Sequence, residues 1–213
     1  MQIVAAINRA KYGAFRWRYG LTIPRKLALS LAMACLIGLL AQVRFYTPWT
    51  PVPITGQTFA VLLAGVIMGR RWGGISVAVY AVLGIAGIPW FSPQTGMPIF
   101  SAGGFSHFAG PTGGYIIGFI LAALFLGYFT DKYIKARRFA SMLGLMLFAS
   151  LVVIYTPGLI WLGIWLNLIS DTPTTAAAVI SMGVAPFIVG DIIKSVTAAA
   201  ISRTVIPGED YCR

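Results

Sequence analysis

Six apolar segments, most of them long enough to cross a lipid bilayer, occupy the greater part of this 213-residue chain. A spanning helix takes about 20 residues, so one helical bundle with short loops accounts for the whole length. Only 10% of the residues are charged, against about 25% in soluble domains. The sequence therefore predicts an all-α, polytopic membrane protein of six transmembrane helices. The predicted spans are residues 27–43, 55–68, 73–88, 113–129, 140–162 and 185–205.

The second and third segments are short, and Arg70 and Arg71 separate them. A single long helix would carry this double positive charge through its middle. Two short spans or a tilted hairpin are therefore favoured over one long helix.

Basic residues predict the orientation of the bundle. They concentrate in the N-terminal tail, in the second and fourth connections and at the C-terminal end, whereas the alternate connections carry almost none. By the positive-inside rule both termini are cytoplasmic. We divide the chain into a basic cytoplasmic tail (residues 1–26), a transmembrane domain (27–206) and a short cytoplasmic tail (207–213). The net charge of +11 is then explained by anionic lipid rather than by nucleic acid.

The last span contains two opposite charges, Asp191 and Lys194. Each costs about 2.5–3.5 kcal/mol at mid-membrane, so the two require pairing, hydration or a ligand. Residues three apart share one helical face, and the orientation puts both in the outer half of the membrane. One interpretation is an ion pair that locks helices together. The other is a polar binding site at the bottom of an outward-facing cavity, and isolated buried pairs are seldom good stabilisers.

Two further outer segments combine polar with helix-breaking residues. Residues 51–58 (PVPITGQT) precede the second predicted span, and residues 110–115 (GPTGGY) begin the fourth. Non-helical backbone at membrane depth needs a cavity or a protein cover, so Thr55, Gln57 and Thr58 are candidate cavity residues. An ordinary outer loop is the alternative. The amides of Gly113 and Gly114, at a helix N-terminus, suit a polar or anionic group. Close helix packing is the alternative role for these glycines.

Several chemistries lack the residues they need. No phosphate-binding loop of the G-x-x-x-x-G-K-[ST] type occurs, so this chain is not expected to hydrolyse ATP. The lone histidine, His107, has no cysteine or carboxylate nearby in the sequence, and Cys35 and Cys212 lie far apart. We therefore expect no metal site and no cofactor, and little with which to build an intramembrane enzyme.

Three strings together resemble the BioY family, the biotin-specific S components of energy-coupling factor (ECF) transporters. They are residues 51–58 continuing to the GRR of 69–71, residues 110–115, and residues 183–194 (GVAPFIVGDIIK). The resemblance covers roughly residues 27–206. It implies a six-helix S-component fold that captures biotin from outside, in the cytoplasmic membrane of a bacterium.

The resemblance also implies roles for particular residues. Asp191 and Lys194 match the family's Asp-x-x-Lys and would contact either the ureido end or the carboxylate of biotin. Ala28 and Ala32 lie on a small-residue face of the first helix, for which internal packing is the default role. By the resemblance this face would dock the transmembrane scaffold subunit, which joins two cytoplasmic ATPases. An S component or carrier for another small molecule, and an intramembrane enzyme, remain as alternatives. The expected substrate-binding residues are Asp191, Lys194, Thr55, Gln57, Thr112, Gly113, Gly114 and Tyr115.

Overall fold

A computed structural model describes Gly13 and residues 20–207 of the chain. Most of the basic tail predicted for residues 1–26, and all but the first residue of the predicted tail 207–213, lie outside the described residues. The first helix begins at Ile23, four residues before the predicted span. Pro24 stands in its first turn, where a fixed φ and a missing N–H group suit a helix start.

The described chain is built almost entirely of helices. Strands β1 (Arg44–Phe45) and β2 (Ile54–Thr55) form one short antiparallel pair. A 3-10 turn, Ile134–Arg137, and two π-helical segments, Ala149–Ile154 and Trp165–Ile169, complete the regular structure. The helices are α1 (Ile23–Gln42), α2 (Gln57–Ile85), α3 (Phe105–Phe108), α4 (Gly113–Lys132), α5 (Phe139–Phe148), α6 (Tyr155–Ile164), α7 (Ala176–Gly183) and α8 (Ile188–Val205).

Four helical stretches of the described chain are long and apolar enough to cross a membrane: α1, α2, α4 and the continuous run Phe139–Ile169. Helices α7 and α8 meet at an angle of 44° and make a fifth when they are counted as one broken span. The prediction of a helical, multi-pass membrane protein is confirmed at this level.

Helix α2 is not straight. Gly69 has φ 76° and ψ 179°, a conformation that is essentially restricted to glycine. The side-chain amide of Gln57 donates to the hydroxyl of Tyr80 at 2.6 Å, although 23 residues of straight helix would separate the two by about 35 Å. The chain therefore folds back at Gly69, and the two arms of α2 lie side by side.

The turn at Gly69 is fixed to the end of α4. The backbone N–H of Arg70 donates to the Asp131 carboxylate at 2.9 Å. The Arg70 guanidinium lies 5.2 Å from the ring centre of Tyr128. An acceptor at the start of the second arm satisfies a backbone donor that the helix cannot pair itself.

The C-terminal part of the chain differs from the prediction. The fifth predicted span, 140–162, extends to Ile169, and the predicted loop 163–184 contains α7. Thr175 begins α7, since its hydroxyl accepts from the N–H of Ala178. Pro186 then separates α7 from α8, which begins at Ile188 rather than at 185 because proline cannot continue a helix. Asp191 consequently lies in the first turn of α8.

Helices α2 and α4 form the centre of the bundle. Their spanning windows are 67% and 61% buried, whereas that of α1 is 22% buried. Small residues permit the central contact: a Cβ on Gly65 would lie 2.7 Å from the carbonyl oxygen of Ala123. This arrangement leaves α1 at the periphery, with much of its surface exposed.

We expect Gly69→Ala to destabilise the fold by about 1–3 kcal/mol, the usual cost of forcing a non-glycine residue into such a conformation. A Cβ there would also lie 2.7 Å from Asp131 Oδ2. Thermal unfolding in detergent measures the effect. Gly144→Ala is the matched control, because a Cβ at Gly144 meets nothing within 4 Å. Equal unfolding temperatures for the two variants would contradict the turn described above.

Candidate functional site

A cavity lies between both arms of α2, α4, α6 and α8. Its lining combines apolar and aromatic side chains with several polar ones and two charged ones. The lining residues are Val52, Pro53, Thr55, Gln57, Thr58, Tyr80, Phe91, Ser92, Thr112, Tyr115, Ile116, Phe119, Ile154, Tyr155, Phe187, Asp191 and Lys194.

The charged part of the cavity is built on α8. Lys194 Nζ donates to Asp191 Oδ1 at 2.8 Å, as the spacing of three residues predicts. Asp191 is 3% exposed, and the first turn of a helix favours a negative charge. Asp191 and Lys194 are the only charged groups among the described lining residues, so the cavity wall is electrically balanced.

Tyr155 completes this charged group. Its hydroxyl donates to Asp191 Oδ2 at 2.7 Å, so both carboxylate oxygens are hydrogen-bonded. Sequence reasoning missed Tyr155 because it stands inside a predicted apolar span, where a tyrosine is ordinary. The nearest signal is Pro157, a helix breaker two residues later in the same span.

A second polar group lies where the chain enters α2. The Thr55 hydroxyl donates to Gln57 Oε1 at 3.0 Å, and Gln57 in turn donates to the buried Tyr80 hydroxyl. The N–H of Gly56 donates to the carbonyl oxygens of Leu40 and Val43, which ties this segment to the end of α1. These bonds give the non-helical backbone the internal partners that a membrane environment requires.

Aromatic rings form the wall around the charged group. Tyr115 packs against Tyr155 and Phe187, with ring centres 6.4 and 6.3 Å apart. The Tyr115 hydroxyl donates to the carbonyl oxygen of Gly183. Phe91 and Phe119 continue the apolar lining. A ligand with a flat or saturated apolar part therefore has a matching surface beside the charged group.

The long uncharged connection after α2 covers part of the cavity. Gln42, the last residue of α1, donates to the carbonyls of Trp90 and Phe91 and accepts from the N–H of Phe100. Arg44 Nη2 donates to the carbonyl of Met97 at 2.7 Å. Residues at the end of α1 thus hold this loop, which includes residues 92–98, in place.

Ser92 is the polar residue that this loop brings to the cavity. Its hydroxyl is buried and has no hydrogen-bond partner within the described structure. His107 hydrogen-bonds to the backbone of Ser92, and burial lowers the pKa of its imidazole. The imidazole is therefore neutral near pH 7 and adds no positive charge at this position.

Six of the eight residues predicted to bind substrate line the cavity: Asp191, Lys194, Thr55, Gln57, Thr112 and Tyr115. Gly113 and Gly114 do not. The N–H of Gly113 donates to the carbonyl of Gly110 rather than being free. A Cβ on Gly114 would clash with the carbonyl of Pro157 and with Trp161. Gly114 thus has the alternative role, close packing of α4 against α6, and ligand binding by these amides stays a prediction.

The predicted docking residues lie elsewhere on the molecule. Ala28 and Ala32 are exposed on α1, and Cys35 continues the same helical face. None of the three lines the cavity.

Comparisons with known proteins agree with this architecture. The BioY family model matches residues 14–209. The probable biotin transporter BioY of Methanothermobacter thermautotrophicus is 46% identical over 149 residues, which are 70% of this chain and 90% of that protein. The biotin transporter BioY of Rhizobium etli is 32% identical over 191 residues, 85% of this chain and 91% of that protein. The crystal structure of the S-component for biotin from an ECF-type ABC transporter superposes with a TM-score of 0.70 at 27% identity, over 86% of this chain and 93% of that one.

We expect Lys194→Met to destabilise the protein by about 3–5 kcal/mol, because it leaves the buried Asp191 carboxylate without its counter-charge. The double variant Asp191→Leu/Lys194→Met removes both charges and should recover most of that loss. Thermal unfolding in detergent without ligand measures both. A double variant that is less stable than Lys194→Met would show that the two residues do not act as a pair.

Proposed function

This chain belongs to the BioY family, and from that premise we propose that it binds biotin from the outer side of the membrane and delivers it inward as the biotin-specific S component of an ECF-type transporter. The chain is a multi-pass membrane protein and a transport component rather than an enzyme. The observation that carries the proposal is the balanced, hydrogen-bonded Asp191–Lys194 pair on the wall of an apolar cavity.

We propose six spans, with the two arms of α2 each crossing the membrane and both termini in the cytoplasm. The turn at Gly69 supports this topology because Arg70 and Arg71 follow it directly, beside Asp131 and Lys132 at the end of α4. A basic cluster at one end of the bundle is typical of a cytoplasmic surface. Asp191 then lies on the outer side, as an outward-facing site needs, in the bacterial cytoplasmic membrane.

The ureido end of biotin is the part that suits the charged group. A carboxylate offers about four lone-pair positions and an ammonium three N–H donors, and only some of these are used within the protein. The ureido N–H groups can therefore donate to Asp191 while its carbonyl accepts from Lys194. A ligand carboxylate at the same place would add an uncompensated buried charge, which is costly. The aromatic wall around Tyr115 and Phe119 suits the sulfur-containing ring and the hydrocarbon chain.

Purified protein should bind labelled biotin, and Asp191→Asn and Lys194→Ala should each weaken it by about 10- to 100-fold. This corresponds to the loss of a charge-assisted hydrogen bond of about 1.5–3 kcal/mol. Lys135→Ala is the matched control, since Lys135 is exposed and remote from the cavity. An excess of riboflavin or thiamine should displace no biotin. Wild-type protein that fails to bind biotin, or binds another vitamin equally well, would overturn the proposal.

The exposed face of α1 is proposed as the docking surface for the ECF scaffold subunit, which would join the chain to two cytoplasmic ATPases. Ala28 and Ala32 are exposed although their helix is strongly apolar. Small residues four apart allow another helix to approach closely. The chain itself would use no cofactor, and ATP would be consumed by its partners.

Ala28→Leu should prevent co-purification with the scaffold and ATPases, because the larger side chain blocks close approach, while biotin affinity stays within about twofold of wild type. Ala200→Leu makes the same change at an exposed position of α8 and should leave both properties intact. Unchanged assembly of Ala28→Leu would exclude this face as the docking surface.

A further inference from the structure

The helical run that contains Tyr155 has an unusual local structure. The segment Ala149–Ile154 is π-helical, and regular α-helix resumes at Tyr155. Pro157 follows two residues later. A proline in a helix has no N–H to donate and its ring clashes with the carbonyl four residues earlier, here that of Val153. A wider turn just before the proline relieves that clash, and such turns are frequent at functional sites.

The wider turn has a consequence for the direction of Tyr155. One additional residue in a turn rotates the following side chains by about 100° around the helix axis. Ile154 and Tyr155 are buried and line the cavity, whereas Val152 and Thr156 are exposed. Its hydroxyl reaches across to α8 and donates to Asp191. The proline therefore explains why a tyrosine in an apolar span faces the cavity.

Two different parts of the fold hold the Asp191 carboxylate. Lys194 holds Oδ1 from the same helix, and its side chain is flexible and 17% exposed. Tyr155 holds Oδ2 from the adjacent helical run and is packed against Tyr115. Two anchors fix the plane of the carboxylate, whereas one flexible anchor would leave it free to rotate. Fixing a binding group before the ligand arrives reduces the entropy lost on binding.

We propose that Tyr155 is a positioning residue for ligand binding: it orients the Asp191 carboxylate so that the free lone pairs point at the ligand. The inference rests on the proposed function, because it assigns a specificity-determining role within the same site. Tyr155 differs in this from Tyr115, whose hydroxyl donates to the backbone carbonyl of Gly183. Tyr133 offers a matched control for the same change, because it is exposed and does not line the cavity.

The experiment is a double-mutant cycle on labelled-biotin affinity with Tyr155→Phe, Asp191→Asn and the double variant. Removing the hydroxyl should weaken binding about tenfold in the wild-type background, equal to about 1.4 kcal/mol. In the Asp191→Asn background the same change should weaken it by less than about twofold. Tyr133→Phe should leave the affinity within about twofold of wild type. Equal losses from Tyr155→Phe in both backgrounds would overturn the proposal, since they would mean that Tyr155 acts independently of Asp191.

Infrared difference spectroscopy gives a readout that needs no ligand. The carboxylate stretching band assigned to Asp191, by subtraction of the Asp191→Asn spectrum, should shift in Tyr155→Phe and stay unchanged in Tyr133→Phe. An unshifted band would overturn the positioning role even where affinity falls. If wild-type protein binds no biotin but the band shifts, the proposed function fails while the orientation of Asp191 by Tyr155 stands.

Discussion

The Asp191 carboxylate is the group around which the other features of the binding region are arranged. A buried charge in a membrane bundle must be paired and hydrogen-bonded, and here Lys194 and Tyr155 supply both partners. The donor to Oδ2 is a hydroxyl from a different helical run, so the run containing Tyr155 lies against α8. The ring of Tyr115 in turn packs against Tyr155, which places α4 at the same wall. The contacts that begin at Asp191 thus hold α8, the run containing Tyr155 and α4 next to one another.

Interrupted helices are the means by which the fold meets this requirement. At Gly69 the chain of α2 reverses, which brings Gln57 beside Tyr80. Pro157 follows the π-helical segment that precedes Tyr155. Pro186 separates α7 from α8, shortly before Asp191. Each interruption frees backbone groups, which is tolerated in a membrane where protein or a cavity covers them. Discontinuous helices are a recurring way for transport proteins to build sites at membrane depth. The lengths of the apolar segments determine the helical bundle, and the helix breaks position the residues that line the cavity.

The sequence predicted the parts of the site that depend on residue spacing and on residues that are unusual in or beside an apolar span. Asp191 and Lys194 stood out because charges are expensive in an apolar span, and Thr55 and Gln57 because prolines precede them. Tyr155 and Phe187 gave no such signal, since aromatic residues are ordinary in apolar spans and their directions depend on tertiary packing. The short helix α7 was also missed, because its apolar run is too brief to distinguish from a loop. Gly113 and Gly114 suited either a polar contact or close helix packing, and the proximity of Pro157 and Trp161 shows the packing role of Gly114.

Helix α1 shows why a peripheral element need not be a loosely attached one. Its spanning window is the least buried of the four long stretches in the described chain, yet its last residue makes hydrogen bonds that hold the covering loop. Gln42 uses both ends of its amide, donating to the carbonyls of Trp90 and Phe91 and accepting from Phe100. The exposed Ala28 and Ala32 lie on the same helix, about 15–21 Å from Gln42 at 1.5 Å per residue. One continuous helix therefore connects the small-residue surface to the residue that holds the cover of the cavity.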